Sequence, residues 1–295
     1  MFVPSSGKDK QFFYCQIFKV IHQIRNCYVE VSRDAYDDRT LAEMMLLDAC
    51  FALYGMKIFV GDEQIVLHFR QHFGMAAFSL VSRDMRLLDN QIPLWVINLF
   101  IELICGEGSM LLYEYLSLMY FGDRMRLTRI PEDEKQPLHL VDASRRILVH
   151  EIDHAGKEHD PPGESQRQPQ RKENLNGFRK YNHQSHSVTD LKAKGIHFKP
   201  SSNCLKNINF KSHAFYGQLQ LPVWIFTAFS KLFFIHMLAY EASPGSDTNL
   251  SDSDFSVTCY VNFLKSLIVK SEDVKELREK KILFSTPTVM NKLWK

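Results

Sequence analysis

Apolar residues recur at helical spacing along most of the chain and alternate with polar residues in one short region. Alternation over a few residues is typical of half-buried strands, whereas a period near 3.6 residues is typical of helices that bury one face. The pattern therefore indicates an α+β fold: mainly α, a multi-helix globular domain with a small antiparallel β patch. The predicted helices cover residues 12–28, 40–54, 82–88, 93–103, 109–121, 138–149, 224–241, 254–269 and 271–280. The predicted strands cover residues 196–199, 204–210 and 217–221.

Local signals predict where several helices begin. Thr40 and Glu43 have the spacing of a capping box, in which hydroxyl and carboxylate satisfy each other's backbone donors. Pro93 suits the first turn of a new helix, where its missing N–H costs nothing. The aromatic run that begins at Trp224 has helical spacing and predicts a core face rather than a ligand cage. Its other members are Phe226, Phe229, Phe233 and Phe234.

Composition divides the chain into three parts. Residues 150–186 are rich in His, Gln, Glu, Lys, Pro and Gly and nearly lack aliphatic side chains. Such a segment cannot bury enough apolar surface to order itself, so we predict a disordered polar linker there. The predicted units are an N-terminal helical part at 1–149 and a C-terminal part at 187–295 that carries the sheet. The chain stops soon after a helix start at Thr286-Pro287, which suggests a truncated form.

Charge and cysteine content exclude several classes of protein. Lys and Arg number 36 against 34 Asp and Glu, and the net charge of +2 gives no support to nucleic-acid binding. The six cysteines are scattered without ligand spacing, which favours reduced thiols over zinc. The apolar stretches 92–121 and 221–242 contain charged residues, among them Glu102 and Lys231. We therefore expect core helices rather than membrane spans.

One short motif could hold a metal. His150-Glu151-Ile152-Asp153-His154 matches the H-E-x-x-H pattern, which on a helix places two imidazoles and a glutamate on one face. Asp153 is an unusual charge inside that pattern, and no third ligand is identifiable. The interpretation we favour is a solvated helix end, with the zinc-dependent hydrolase kept as an alternative.

An acid–amide cluster lies between two predicted helices, in the segment 83–93 that reads Arg-Asp-Met-Arg-Leu-Leu-Asp-Asn-Gln-Ile-Pro. Asp84, Asp89, Asn90 and Gln91 are residue types that cap helix ends and satisfy buried backbone groups. We expect this structural role rather than catalysis.

A second acidic position, Asp48, lies inside an apolar helix within residues 44–51. A buried carboxylate must be paired or protonated. We therefore expect an ion pair with Arg25, Arg83 or Arg86.

Seven segments in register resemble a plant family known as domain of unknown function 247. The segments are 25–28, 44–51, 83–93, 138–142, 189–199, 238–241 and 260–273. This resemblance marks a structural family motif that comprises Asp48, Cys50, Asp84, Asp89, Asn90, Gln91, Pro93 and Glu241. An Ile-Gly-Pro-Tyr-His segment and a C-terminal stretch that are usual in the family are absent here.

The resemblance implies a plant protein without established enzymatic activity. Many relatives are tethered by one C-terminal membrane helix, and some grass relatives resemble pollen-side determinants of self-incompatibility. We therefore expect a non-enzymatic recognition or signalling protein with an unidentified protein partner and with no cofactor, metal or catalytic residue. Because the tail is missing, we expect a cytoplasmic or peripheral location. A truncated product without function is a further alternative.

Overall fold

A computed structural model of the protein describes residues 7–28, 35–122, 126–130, 136–150, 186–202, 204–226, 230–243 and 255–285. The predicted disordered linker at 150–186 falls outside the described residues except for its two end residues, His150 and His186. The helix start predicted at Thr286-Pro287 lies outside them too.

The N-terminal half is built from helices around one long central helix. The helices are α1 (Lys10–Lys19), α2 (Ile21–Asn26), α3 (Asp38–Val60), α4 (Glu63–His72), α5 (Met75–Asp84), α6 (Leu94–Cys105), α7 (Leu111–Phe121) and α8 (Leu140–Val149), with a 3-10 turn at Leu88–Asn90. Helix α3 lies at the centre and packs against α1, α6 and α7. Its ten buried residues include Leu46, Leu53 and Met56, and they form the middle of the first hydrophobic core.

The ends of α3 differ from the predicted capping box. The carboxylate of Asp37 accepts a hydrogen bond from Thr40 N at 2.7 Å, so the helix begins at Asp38, two residues before the predicted start. Thr40 thus occupies the third helical position, and its backbone N–H donates to the capping side chain of Asp37. The helix ends at Gly61, whose φ of 85° is the left-handed conformation that favours glycine at a helix C-terminus.

The C-terminal half combines four further helices with two small sheets. Its elements are α9 (Val188–Ala193), β1 (Ile196–Pro200), β2 (Asn209–Ser212), β3 (Gly217–Leu221), β4 (Trp224–Phe226), α10 (Ser230–Glu241), α11 (Ser256–Leu267), α12 (Ser271–Glu279) and β5 (Leu283–Ser285). The mainly α character with a small β part is confirmed.

The larger sheet is mixed, which corrects the antiparallel patch expected from the sequence. Its strand order is β1-β3-β2, with β3 parallel to β1 and antiparallel to β2. The chain leaves β1, forms β2 at the outer edge, and turns back through residues 213–216 to insert β3 between the two. Periodicity identifies strands but does not give their order, so the pairing direction could not be predicted.

The predicted helix 224–241 was wrong at its start. Residues Trp224–Phe226 form β4, which pairs in parallel with β5, and Trp224 N donates to Ile282 O at 2.9 Å. A short apolar run reads equally well as a buried strand or a buried helix, and its partner strand is almost sixty residues away. Helix α10 then begins at Ser230.

Helix α8 lies between two hydrophobic cores. Leu140, Ala143 and Ile147 belong to the core of the N-terminal helices, whereas Val141 and Leu148 belong to the core of the C-terminal half. Nine of its ten residues are buried. The two halves therefore share this helix, which ends at the predicted boundary, residue 149.

Within the described residues, no single helix is both long and apolar enough to cross a membrane. Helices α3 and α4 pass that test of length and composition only as a pair, and their axes bend by 109° at the break between them.

A fully buried carboxylate joins α9 to α12. Asp273 is 0% exposed and accepts hydrogen bonds from Thr189 N at 2.8 Å, Thr189 Oγ1 at 2.9 Å, and Val269 N and Lys270 N at 3.0 Å. Burial alone would raise the pKa of Asp273, but these donors outweigh it and hold the pKa below its ordinary value. The ionised form is thus the one that the fold stabilises.

We expect Asp273→Asn to lower the free energy of unfolding by about 2–3 kcal/mol, because the amide group of asparagine turns one acceptor into a donor facing backbone N–H groups. The wild-type contribution is fully present above the ordinary carboxyl pKa of 3.8 and is lost as the pH falls through the lower folded value. Urea denaturation at several pH values measures both effects. Asp9→Ala, which removes the exposed cap of α1, is the control and should cost less. An equal loss of unfolding free energy in Asp273→Asn and Asp9→Ala would contradict this account. So would a difference between the wild type and Asp273→Asn that grows as the pH falls.

Candidate functional site

The side chain of Gln91 joins the 83–93 segment to helix α8. Its Nε2 donates to Met85 O at 3.1 Å and to Leu87 O at 2.7 Å, and its Oε1 accepts from Val141 N at 3.3 Å. One amide thus satisfies two carbonyls at the end of α5 and one donor in the first turn of α8. Such groups are costly to leave unpaired in a protein interior.

The neighbours of Gln91 have simpler roles. Asn90 Nδ2 donates to Asp84 O at 3.1 Å, which satisfies a carbonyl at the end of α5. Pro93 is buried and immediately precedes α6, one position before the expected first turn. Asp84 pairs with Arg83 at 2.9 Å on the surface, where such a pair contributes little. Asp89 is exposed, and no hydrogen bond joins its side chain to a described residue, so the cap expected from it is not observed.

Asp48 lies across a small cavity from the same segment. The cavity has a volume of about 40 Å³, and its lining includes Asp48, Asn90, Gln91 and Leu140. Burial raises the pKa of Asp48. The structure therefore brings two family segments together at one point.

The ion pair expected for Asp48 is not observed among the described residues. Arg25 instead pairs with Asp38 at 2.6 Å. Asp48 is ten residues further along α3, about 15 Å from that pair at 1.5 Å per residue. The other two candidates contact different residues: Arg83 pairs with Asp84, and Arg86 donates to Ser82 Oγ.

Cys50 lies two positions further along α3 and is half-buried. Burial raises the pKa of its thiol. The neutral thiol packs against the first hydrophobic core, as a small apolar side chain does.

Glu241 caps helix α11 from the end of α10. Its side chain is 0% exposed, and its carboxylate accepts from Val257 N at 3.0 Å, Thr258 N at 2.9 Å and Thr258 Oγ1 at 2.7 Å. Arg145 Nε donates to it from α8 at 2.9 Å. The carboxylate therefore ties three helices together, and its negative charge lies at a helix N-terminus, where it is favourable.

The N-terminus of α8 is the point where the family segments converge. Gln91 reaches it from one side, while the ring of Tyr240 meets that of His139 edge-on at 5.0 Å from the other. His139 is the N-cap, and its Nδ1 accepts from Asp142 N at 3.2 Å. Burial lowers the pKa of His139 despite the opposing effect of Asp142, so the neutral, accepting form is favoured.

The buried acid Asp142 is also paired. It accepts from Leu138 N at 2.9 Å and from Arg146 Nη2 at 3.2 Å, and both side chains are nearly inaccessible. Burial raises the pKa of the neighbouring Tyr240, and Asp142 adds to that effect. The arrangement can hold helices in place, since Asp142 is engaged by a backbone N–H and by a guanidinium.

Most of the H-E-x-x-H motif lies outside the described residues. His150 caps the end of α8, its N–H bonded to Arg146 O at 3.0 Å, whereas Glu151 and His154 lie outside the described residues. Across the described part of the chain, no three His, Cys, Asp or Glu side chains cluster closely enough to hold a metal ion.

An exposed aromatic surface lies at the edge of the mixed sheet. In the β2–β3 hairpin, Phe215 is 98% exposed and Phe210 is 58% exposed, and Tyr216 stacks on His213 at 4.5 Å between ring centroids. The ring of Phe210 covers Gly217, where any Cβ would lie only 2.9 Å from it. We call these residues the hairpin edge: Phe210, His213, Phe215 and Tyr216.

Sequence reasoning missed part of this arrangement. The pair Asp142–Arg146 has the i, i+4 spacing of a helical ion pair, so the sequence could have predicted this contact. The Arg145–Glu241 contact spans 96 residues and leaves no local signal. The hairpin edge was predicted only as two strands, because alternation does not show which strand lies at an edge.

We expect Gln91→Leu to lower the free energy of unfolding by about 2 kcal/mol, because it leaves Val141 N and two carbonyls without their partner. Asn90→Ala removes one bond from an exposed neighbour and should cost about 1 kcal/mol or less. Chemical denaturation of the two variants beside the wild type measures the difference. If Asn90→Ala cost more stability than Gln91→Leu, the hydrogen bond between Gln91 and α8 would not contribute as described.

We expect Glu241→Gln to destabilise the fold by about 3 kcal/mol, since it removes the negative charge that pairs with the buried Arg145 guanidinium. Arg145→Met in the same background should recover part of that loss, because the cation that Glu241 neutralises is then removed as well. A double-mutant cycle of unfolding free energies tests this. Strict additivity of the two changes would refute a direct interaction.

Comparison with known proteins confirms the family resemblance. The profile of the plant family described as plant protein of unknown function, domain of unknown function 247, matches residues 1–293. A UPF0481 protein of Arabidopsis thaliana is 26% identical over 270 residues, which cover 88% of this chain and 53% of that protein. The chain thus spans about half the length of this relative. No solved structure matches. The chain belongs to the plant family of domain of unknown function 247.

Proposed function

We propose that the protein is a non-enzymatic recognition or signalling protein that works through protein contacts, and that it docks an extended segment of its partner on the hairpin edge. The observation that carries this proposal is the pair of exposed phenylalanines at the edge of the sheet, Phe210 on β2 and Phe215 in the turn that follows it. Large apolar side chains exposed together at an edge are unusual on a surface that contacts only water.

The apolar face of the sheet continues to this edge. Phe198 of β1 is 3% exposed, Leu219 of β3 pairs with it and is half-buried, and Phe210 of β2 pairs with Leu219 at 58% exposure. Paired residues on neighbouring strands point to the same face. A fourth strand added beside β2 would therefore place one of its own side chains next to Phe210 and extend the row.

Strand β2 offers backbone groups for such an addition. It is the last strand in the order β1-β3-β2, and all four of its residues are exposed. An edge strand presents unpaired N–H and C=O groups that an extended peptide can bind by β-augmentation. The backbone would provide affinity, and Phe210 and Phe215 would provide side-chain selectivity.

Charge indicates the chemistry of the partner. Residues 196–221 contain Lys199, Lys206 and Lys211 and neither Asp nor Glu. An acidic segment with apolar residues at alternate positions complements such a surface. Recognition of this kind agrees with the role that the family resemblance implies for some grass relatives.

The polar network supports a structural role for the other family residues. Glu241 and Gln91 are engaged with backbone N–H groups, carbonyls or Arg145. Groups held in this way position helices, whereas a catalytic set requires a nucleophile or base within reach of a substrate.

We expect a photo-crosslinking residue at position 215 of the full chain to label one acidic partner protein in the native tissue. The same residue at position 73 should not, because Phe73 is also a large exposed side chain, at 61% exposure, but lies at the end of α4 in the other half. Mass spectrometry of the adducts after irradiation identifies the partner.

The control variants separate docking from folding. Lys211→Glu should reduce labelling at position 215 by tenfold or more through charge repulsion, while Phe73→Ser should leave it unchanged. Circular dichroism should show the same helix content in both. Equal labelling from positions 73 and 215, or labelling that survives Lys211→Glu combined with Phe210→Ser, would rule out the hairpin edge as the docking surface.

A further inference from the structure

Two histidines lie one helical turn apart on the surface of α4. His68 and His72 are both exposed, and His72 is the last residue of the helix. Side chains at positions i and i+4 lie on one helix face, which is the spacing that lets two imidazoles bind a single metal ion. The two rings are stacked, with their centroids 4.2 Å apart and their planes 26° apart. The helix therefore holds both imidazoles side by side at the surface.

This separation of the rings suits one zinc ion. Zinc binds imidazole nitrogen at about 2.0–2.1 Å, so two nitrogens on one ion lie no more than about 4.2 Å apart. A tetrahedral ion requires them to be somewhat closer. Because both side chains are exposed, small rotations about their side-chain bonds bring the nitrogens together without any change in the core.

A hydrogen bond determines which nitrogen of His72 is available to a metal. Its Nδ1 lies 2.8 Å from His68 O, one turn earlier in the helix. A carbonyl oxygen can only accept, so Nδ1 carries the proton and the lone pair of the neutral ring lies on Nε2. Histidines that bind metals commonly donate their other ring N–H to a carbonyl or carboxylate in this way. His72 thus has the tautomer of a metal ligand.

The ring of His68 is oriented from the neighbouring helix. Its Nδ1 lies 2.9 Å from Tyr54 Oη, and Tyr54 belongs to the central helix α3. A phenol oxygen can accept from Nδ1, which leaves the lone pair of His68 on Nε2. The buried Phe69 holds α4 against α3 beside this contact, with its ring 5.9 Å from that of Tyr54. Both imidazoles are therefore engaged through Nδ1, and Nε2 remains as the ligating atom of each.

We propose that His68 and His72 together bind one Zn²⁺ ion through their Nε2 atoms. Imidazole is a ligand that suits zinc and copper, whereas magnesium prefers oxygen. Two protein ligands leave two positions of a tetrahedral ion open to water or to a donor from another molecule. This is an exchangeable surface site, unlike a closed structural site with four protein ligands. It is separate from the hairpin edge and does not depend on the proposed protein docking.

Calorimetric titration of the full purified chain, freed of metal with a chelator, tests the site with Zn²⁺ and with Mg²⁺. We expect one Zn²⁺ binding event that is at least tenfold weaker in His68→Ala and in His72→Ala, and no binding of Mg²⁺. His154→Ala, which breaks the H-E-x-x-H segment, should leave this event unchanged. Exchanging two residues, Arg70→His with His72→Arg, keeps the composition but moves one imidazole to another face of the helix. It should weaken binding as much as His72→Ala.

A local measurement shows where the metal lies. Substoichiometric Cu²⁺, which is paramagnetic, should broaden the NMR signals of the His68 and His72 rings before that of His22, an exposed histidine on α2. Tyr54→Phe keeps the ring but removes the hydroxyl that orients His68, and should weaken Zn²⁺ binding about tenfold. Circular dichroism should show unchanged helix content in these surface variants. Zinc affinity that is unchanged in His72→Ala, a binding event lost in His154→Ala, or uniform broadening of all histidine signals overturns the proposal.

Discussion

The burial of α8 between two hydrophobic cores is the constraint on which the rest of the structure depends. A helix with nine of ten residues buried has no face left for solvent. Its polar side chains must therefore find partners inside the protein. Asp142 pairs with Arg146, Arg145 with Glu241, and Ser144 Oγ donates to Leu140 O at 2.7 Å. The bond from Arg145 to Glu241 also holds α10 in place, whereas the other two lie within α8.

Two of the positions that the family resemblance marks gain a common physical reason from this arrangement. Gln91 satisfies a backbone donor at the beginning of α8, and Glu241 neutralises a cation on its flank. Leu88 N donates to His236 at 3.0 Å and joins the same segment to α10. These contacts link elements 50 to 148 residues apart in the chain. They hold the halves in one geometry.

The pattern of the sequence predicted the helices well where their apolar stripe is long. Helix α8, with a regular stripe, was predicted within two residues of its start and at its observed end. Strand β4 was missed because three apolar residues carry no period of their own, and its direction is set by β5 at the far end of the chain.

The candidate site was predictable only in part, for a similar reason. The roles of Asn90 and Gln91 in hydrogen bonding to the backbone follow from residue type and position between helices. The ion pair predicted for Asp48 is not observed among the described residues for a different reason. Whether any of the three arginines can reach this carboxylate depends on helix packing, which residue spacing alone does not give. The aromatic run was predicted as core, and its described members do lie in the second hydrophobic core. That Trp224 and Phe233 also line a cavity depends on residues from α3, α5 and α7, which the sequence does not place.

The C-terminal end of α8 has a consequence for how this chain can vary in length. Its last carbonyls are met from far along the chain, with Leu205 N donating to Leu148 O at 2.7 Å and Cys204 Sγ to Val149 O at 3.1 Å. Both ends of the intervening stretch are therefore anchored to the same helix end. Any change in chain length between these anchors must therefore preserve the register at Cys204–Leu205, because a one-residue slip there would uncap the helix that both cores share.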